Sequence, residues 1–173
     1  MAFEKFTVKA VEAIADAQRL AARIGNPEIR PSHLLLCMLD QDKGVVPNLL
    51  RKIGADPVLL KSQCTQQVDA LPKISGGGKI GLSKTMDRVV AIAQEESRKR
   101  KDSHVPTEML LLGVEGAKDK ARGLLHDHGV TADLGVPIAI CALLHFIPGH
   151  FPVITTFIFL VRAMPSLSHI GRI

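Results

Sequence analysis

The chain has no tryptophan and no tyrosine, and aromatic residues make up 3% of its 173 residues. A core with so few rings must be filled by aliphatic side chains, which suits helix packing better than a sandwich of sheets. Cysteine is scarce, with Cys37, Cys64 and Cys141 far apart. An odd and scattered set argues against a disulfide framework and fits a reducing compartment, so a cytoplasmic location is expected. No apolar stretch follows Glu4 and Lys5, so no secretory leader is expected. The formal net charge is only +5, and no aromatic residues are interleaved with the basic ones. That combination argues against nucleic acid as a partner. The last stretch, from Leu134 to Ile173, contains no Asp or Glu.

What the chain does have is repetition. Phe6, Thr7, Ala10, Ala13, Ile14, Ala17 and Gln18 recur as Leu82, Ser83, Met86, Val89, Val90, Ala93 and Gln94. Pro31, Ser32, Leu34, Leu35 and Leu36 recur as Pro106, Thr107, Met109, Leu110 and Leu111. Leu49, Leu50 and Gly54 recur as Leu124, Leu125 and Gly129, and the offset drifts only from 76 to 75. An internal repeat of this order sets the architecture before any single residue is considered.

Each copy reads as four helices. Thr7 caps a first helix whose apolar stripe runs Ala10, Ala13, Ile14, Ala17, Leu20, Ala21 and Ile24, stopped by Gly25, Asn26 and Pro27. Pro31 and Ser32, the latter as cap, open a second helix that is apolar nearly all round and hence central. A third helix carries Val46, Leu49, Leu50 and Ile53 and ends at Gly54. Asp56 and Pro57 open a fourth, which Pro72 ends. The pattern restarts at Ser83, opens a second helix at Pro106 and Thr107, closes a third at Gly129, and offers Thr131 as the next cap. The expected fold is all-α, two tandem four-helix repeats with pseudo-twofold symmetry and no strand in either half. Repeat one spans 1–74, a Gly-rich linker 75–81, repeat two 82–133, and an apolar tail 134–173.

The tail breaks the repeat. It holds four of the six Phe and four of the ten Pro, with apolar runs at Ile138–Leu144 and Val153–Val161. Three readings stay open. Residues 136–161 are long enough for a membrane span, although Pro137, Pro148, Pro152, His145 and His150 interrupt or border it. The tail is otherwise a packed extension, or a stretch translated out of the gene's own frame.

No reactive constellation emerges. Gly76, Gly77, Gly78 and Lys79 imitate a phosphate loop, but Ile80 stands where a metal-binding hydroxyl is required. His126 and His128 lie two apart and face different ways on a helix, with no ligand cluster to complete a metal site. His33 and His104 flank the starts of the second helices and are given a structural role or none. The run Arg98–Lys101 reads as a solvated face at a helix C-terminus. No enzyme activity, cofactor or metal is expected.

The run Phe3-Glu4-Lys5-Phe6-Thr7, Ala10, Ala13-Ile14, Ala17-Gln18, then Ile29-Arg30-Pro31-Ser32-His33-Leu34-Leu35-Leu36, resembles the N-terminal repeat domain of the Clp ATPases. It looks most like the ClpB disaggregase branch, and the likeness covers residues 1 to about 133. The resemblance implies a domain that docks unfolded or aggregated proteins, or adaptor proteins, for an ATP-driven ring. Full-length Clp ATPase subunits are then a further partner. It places an apolar groove between the first and second helices of repeat two, at Ile92, Glu96 and Met109. Glu96 departs from the apolar residue the family often has there, and Ile92 and Met109 also fit a core role. Thr7, Asp102 and Glu108 are candidates for a polar rim, although Thr7 is most simply a helix cap. In the family two ATPase modules follow this domain. The 40 residues after Asp133 are too few to hold them, so ATP-driven unfolding by this chain alone is not expected. The alternatives are a membrane-anchored regulatory protein and a truncated remnant of a longer ATPase.

Overall fold

Helix caps fall where the sequence puts hydroxyl and carboxylate side chains. In the computed structural model, which describes residues 4–41, 43–74 and 80–131, Thr7 Oγ1 accepts from the Ala10 N–H at 3.3 Å and starts α1 (Val8–Ile24). Its repeat counterpart, Ser83 Oγ, accepts from the Met86 N–H at 3.1 Å and starts α5 (Lys84–Lys99). Asp56 Oδ1 accepts from Val58 and Leu59 and starts α4 (Pro57–Asp69). The remaining helices are α2 (Pro31–Asp40), α3 (Val45–Lys52), α6 (Thr107–Gly116) and α7 (Lys120–Asp127). The helix expected after Thr131, and the tail with its candidate span 136–161, lie outside the described residues. So do residues 75–79 of the linker. No helix among the described residues is long and apolar enough to cross a membrane.

Two expectations need correction. Ser32 is not a cap. Pro31 is already preset for a helical first position, so α2 starts before Ser32 and leaves it inside the helix, 4% exposed. The capping task falls to His33, whose Nδ1 accepts from the Arg30 N–H at 3.0 Å. Nor is the fold free of strands. Two-residue strands β1 (Glu28–Ile29) and β2 (Gly81–Leu82) pair in parallel, Glu28 with Gly81 and Ile29 with Leu82. A parallel bridge joins Phe6 to Val105. Two residues leave no room for an alternating pattern, so nothing in the sequence marks these strands.

The pairing is reciprocal. The Ser83 N–H donates to the Ile29 carbonyl at 3.0 Å, and the Thr7 N–H donates to the Val105 carbonyl at 3.0 Å. The segment entering the first helix of each copy is thus bonded to the segment entering the second helix of the other. One hydrophobic cluster runs through both copies, with Leu34, Leu35 and Met38 from α2 and Leu110, Leu111 and Val114 from α6. Phe6, the only aromatic among the described residues, is 5% exposed within it. Ile80 packs against the cluster and Gly81 enters β2, so the linker is anchored before its expected end.

The copies have exchanged volume across the crossing of their first two helices. In copy two a Cβ added to Gly113 would stand 2.4 Å from the Val89 carbonyl oxygen, so α5 and α6 meet backbone to backbone. The corresponding positions of copy one hold Ala13 and Met38, small where the other is large. The first helices also end alike. Asn26 donates to Ala21 and Asp102 to Ser97, closing each helix through a left-handed residue. That residue is Gly25 (φ 83) in one copy and Lys101 (φ 60) in the other. A side chain in this region is strained, and Lys101 carries that cost, about 1 kcal/mol.

Gly113→Ala should therefore destabilise the chain by about 2 kcal/mol, because backbone must move to admit the methyl group. Gly123→Ala, on an α7 face with nothing within 4 Å of the new carbon, should stabilise it by about 0.5–1 kcal/mol. Urea denaturation of the two variants checks both signs, and a neutral Gly113→Ala would show that the helices do not approach as described.

Candidate functional site

The six residues singled out in the sequence fall into two groups. Three gather at the bridge. Thr7 is bonded through its N–H to Val105, Asp102 lies three residues before Val105 in the α5–α6 connection, and Glu108 is in the first turn of α6. Asp102 is exposed and borders a cleft of about 680 Å³ with Lys5, Gln94, Arg98 and His104. Glu108 is half-buried at the helix end that favours an acid.

The other three are spread along the α5–α6 contact. Ile92 is half-buried, with Cδ1 3.0 Å from where a Gly116 Cβ would be. Met109 lies two turns earlier on α6 and is 2% exposed. It is a core residue in this conformation, because α6 is buried continuously from Met109 to Glu115 and has no free side there. Glu96, one turn beyond Ile92, is half-buried between two cations. Lys99 Nζ stands 2.9 Å from Oε1, and Arg100 Nη1 stands 2.7 Å from Oε2. The Lys99 ammonium first, then the Arg100 guanidinium, hold the Glu96 carboxyl below its usual range. The face is therefore a half-buried isoleucine beside an ion-paired acid.

Three of the described histidines make bonds within the fold. His126 Nε2 lies 3.0 Å from the buried Glu115 carboxylate, and His128 Nε2 lies 2.8 Å from Gln63 Oε1 of the other copy. His33 is fully buried. Its Nδ1 accepts from Arg30, so the proton sits on Nε2 and is donated to Asn26 Oδ1 at 2.9 Å. Asn26 in turn donates to the Pro72 carbonyl at 2.9 Å, and Ile74 N–H donates to the Gly25 carbonyl at 2.8 Å. This chain ties the end of copy one down over the α1–α2 connection. Burial, more than the nearby Arg30 charge, pushes the His33 pKa down. No group of three or more His, Cys, Asp or Glu able to hold a metal occurs among the described residues.

A site the sequence reading passed over lies in copy one. Leu20, Leu36 and Cys37 floor a cleft of about 600 Å³, rimmed by Asp16, Arg23 and Lys61. Burial pushes the Cys37 thiol up to about 12, so it is a floor atom rather than a nucleophile. The signal was available, because the repeat offset carries Ile92 onto Asp16 and Glu96 onto Leu20.

Comparison with known proteins places this geometry. Residues 5–128 match the family model of the Clp repeat (R) N-terminal domain. The chaperone protein ClpB of Corynebacterium efficiens is 37% identical over 129 residues, covering 73% of this chain and 15% of that protein. The chain thus spans about one seventh of the length of such relatives. Among solved structures, the Hsp104 N-terminal domain from Candida albicans superposes with a TM-score of 0.70 at 20% identity, covering 79% of this chain and 89% of that one. The N-terminal domain of the caseinolytic protease associated chaperone ClpD from Arabidopsis thaliana gives 0.61 at 23%, covering 83% and 97%. These two likenesses concern the fold alone.

The buried imidazole predicts a pH dependence. His33 is neutral in the folded chain and has the ordinary value of 6.5 when unfolded, so its contribution is complete above pH 6.5. Below that, the unfolded chain takes up the proton first, and stability falls by about 1.4 kcal/mol per pH unit until the folded value is reached. Urea midpoints measured between pH 7.5 and 5 should show this slope in the wild type and lose it in His33→Gln; equal slopes would remove His33 as the cause.

Proposed function

Because the chain belongs to the Clp repeat N-terminal domain family, we propose that it is a non-catalytic docking module. It captures unfolded or aggregated polypeptides, or adaptors that deliver them, for a Clp-type chaperone or protease ring in the cytoplasm. The observation that carries this reading is the α5–α6 face, where Ile92 remains half-buried beside Gly116 while its apolar neighbours on α5, Val89, Val90 and Ala93, are buried. The rim of Thr7, Asp102 and Glu108 stands at the bridge between copies and supplies polar groups for a backbone. The ring itself is a second molecule, such as full-length Clp ATPase subunits, acting on what this domain holds.

Binding is expected to be weak. One half-buried isoleucine offers little apolar area, and a disordered client loses conformational freedom when it docks. Glu96 weakens it further, since its ion pairs keep a hydrated acid beside the apolar spot. Both pairs lie at the surface with at least one partner half-buried, and such pairs contribute little to stability, so their loss is tolerated.

Titrating a fluorescent, permanently unfolded peptide against the full chain tests the reading. Ile92→Ser should weaken binding several-fold, and Glu96→Leu should tighten it about fivefold by adding apolar area to the same spot. Circular dichroism keeps folding separate from binding. A folded chain that takes up no peptide at high micromolar concentration would overturn the proposal.

A further inference from the structure

The pseudo-twofold axis carries the α5–α6 face onto the α1–α2 face of copy one, and the chemistry there is inverted. On α5, Glu95 and Glu96 both pair with Lys99, at 3.3 and 2.9 Å, so two acids share that cation and Arg100 binds the second of them. The same positions of α1 are Arg19, Leu20 and Arg23. Ile92, which covers Gly116 in copy two, becomes Asp16, and Gly116 becomes Gln41. The shorter Asp16 does not cover the site, and the cleft of about 600 Å³ opens there.

Most polar groups around this cleft are already committed. Asp16 pairs with Arg19, Asp40 with Lys61 at 2.5 Å, and Gln41 donates to the Lys9 carbonyl at 2.8 Å. Thr65 donates to the Lys61 carbonyl at 2.9 Å. Arg23 is different. It is exposed in the last turn of α1, lines the cleft, and has no ion pair among the described residues. Beside it lies the half-buried apolar floor of Leu20, Leu36 and Cys37. An aliphatic floor next to one uncommitted guanidinium is complementary to an aliphatic side chain next to a carboxylate.

We propose that the copy-one cleft is a second docking site, selective for stretches of unfolded polypeptide in which leucine-like side chains are flanked by Glu or Asp. The site is distinct from the α5–α6 face and does not depend on that face binding anything. The two copies then differ in preference, copy one taking acidic-flanked segments while the cations of copy two are already held by Glu95 and Glu96.

The test uses the full chain and three acetylated, amidated peptides that alternate leucine with Glu, Gln or Lys, followed by amide chemical shifts at low salt. The Glu peptide should move the amides of Leu20, Leu36 and Cys37 and bind about fivefold more tightly than the Lys peptide, the preference shrinking as salt is raised. Arg23→Glu should reverse the order, and Arg23→Lys should preserve it; Arg23 is exposed, so neither change threatens the fold. The proposal is overturned if the Glu and Lys peptides bind alike, if the preference survives Arg23→Glu, or if shifts are confined to Ile92 and Gly116. That last outcome would leave the α5–α6 reading standing. Concentration-dependent shifts at Leu20 and Cys37 without any peptide would identify a second copy of the chain as the occupant, and would also overturn it.

Discussion

Everything in this molecule depends on the exchange of backbone bonds between the two copies. Ser83 donates to Ile29 and Thr7 donates to Val105, so the N–H of the residue that caps each copy's first helix is satisfied by the other copy. The residues making these bonds are the caps themselves or stand immediately beside the second helices. A cap that drifts would therefore lose a side-chain bond and a cross-copy bond together. This explains how a chain with one described aromatic in its core still holds two small helical units in one body. The pairing joins the two copies at their helix entrances, and burial of the aliphatic faces of α2 and α6 in one cluster supplies the free energy.

That arrangement determines what is left at the surface. The central helices are consumed by the core. Met109, which the family resemblance places on a groove, is therefore covered, while Ile92 and Leu20, on the outer side of the first helices, keep part of their area free. The two faces share a backbone plan and differ in side chains. Where the copies differ in the core the changes are matched, and where they differ at the surface they need not be. Ala13 and Val89 could change only because Met38 and Gly113 changed in the opposite sense. Leu20 and Glu96 needed no such compensation.

Much of the helical plan was legible because it is written in local chemistry. Thr7, Ser83 and Asp56 are hydroxyl or carboxylate caps ahead of apolar stripes, and all three cap their helices. The features that escaped depend on residues far apart in the chain. Two-residue strands have no periodicity to read. The cap at His33 is an imidazole reaching back to Arg30, a task ordinarily read from Ser, Thr or Asp, so Ser32 drew attention instead. The copy-one cleft was legible in principle, but only by carrying Ile92 and Glu96 back across the repeat rather than forward.

His33 and Glu108 show how one position can be given opposite tasks. They correspond across the repeat, at the start of α2 and of α6. In copy one the departing chain crosses overhead, with Pro72 bonded to Asn26 and Ile74 bonded to Gly25. A charged group beneath it would be stranded without water, so the position holds a neutral imidazole that donates to Asn26 and accepts from Arg30. In copy two the same position keeps part of its surface in solvent, and an acid suits the positive helix end. The chain's passage over copy one has thus turned a position that could meet a partner into a lock on the fold, and has left only Glu108 of the pair facing outward. Pseudo-symmetry here conserves the frame and not the sites, and it follows that a partner recognising one copy through this position has no equivalent hold on the other.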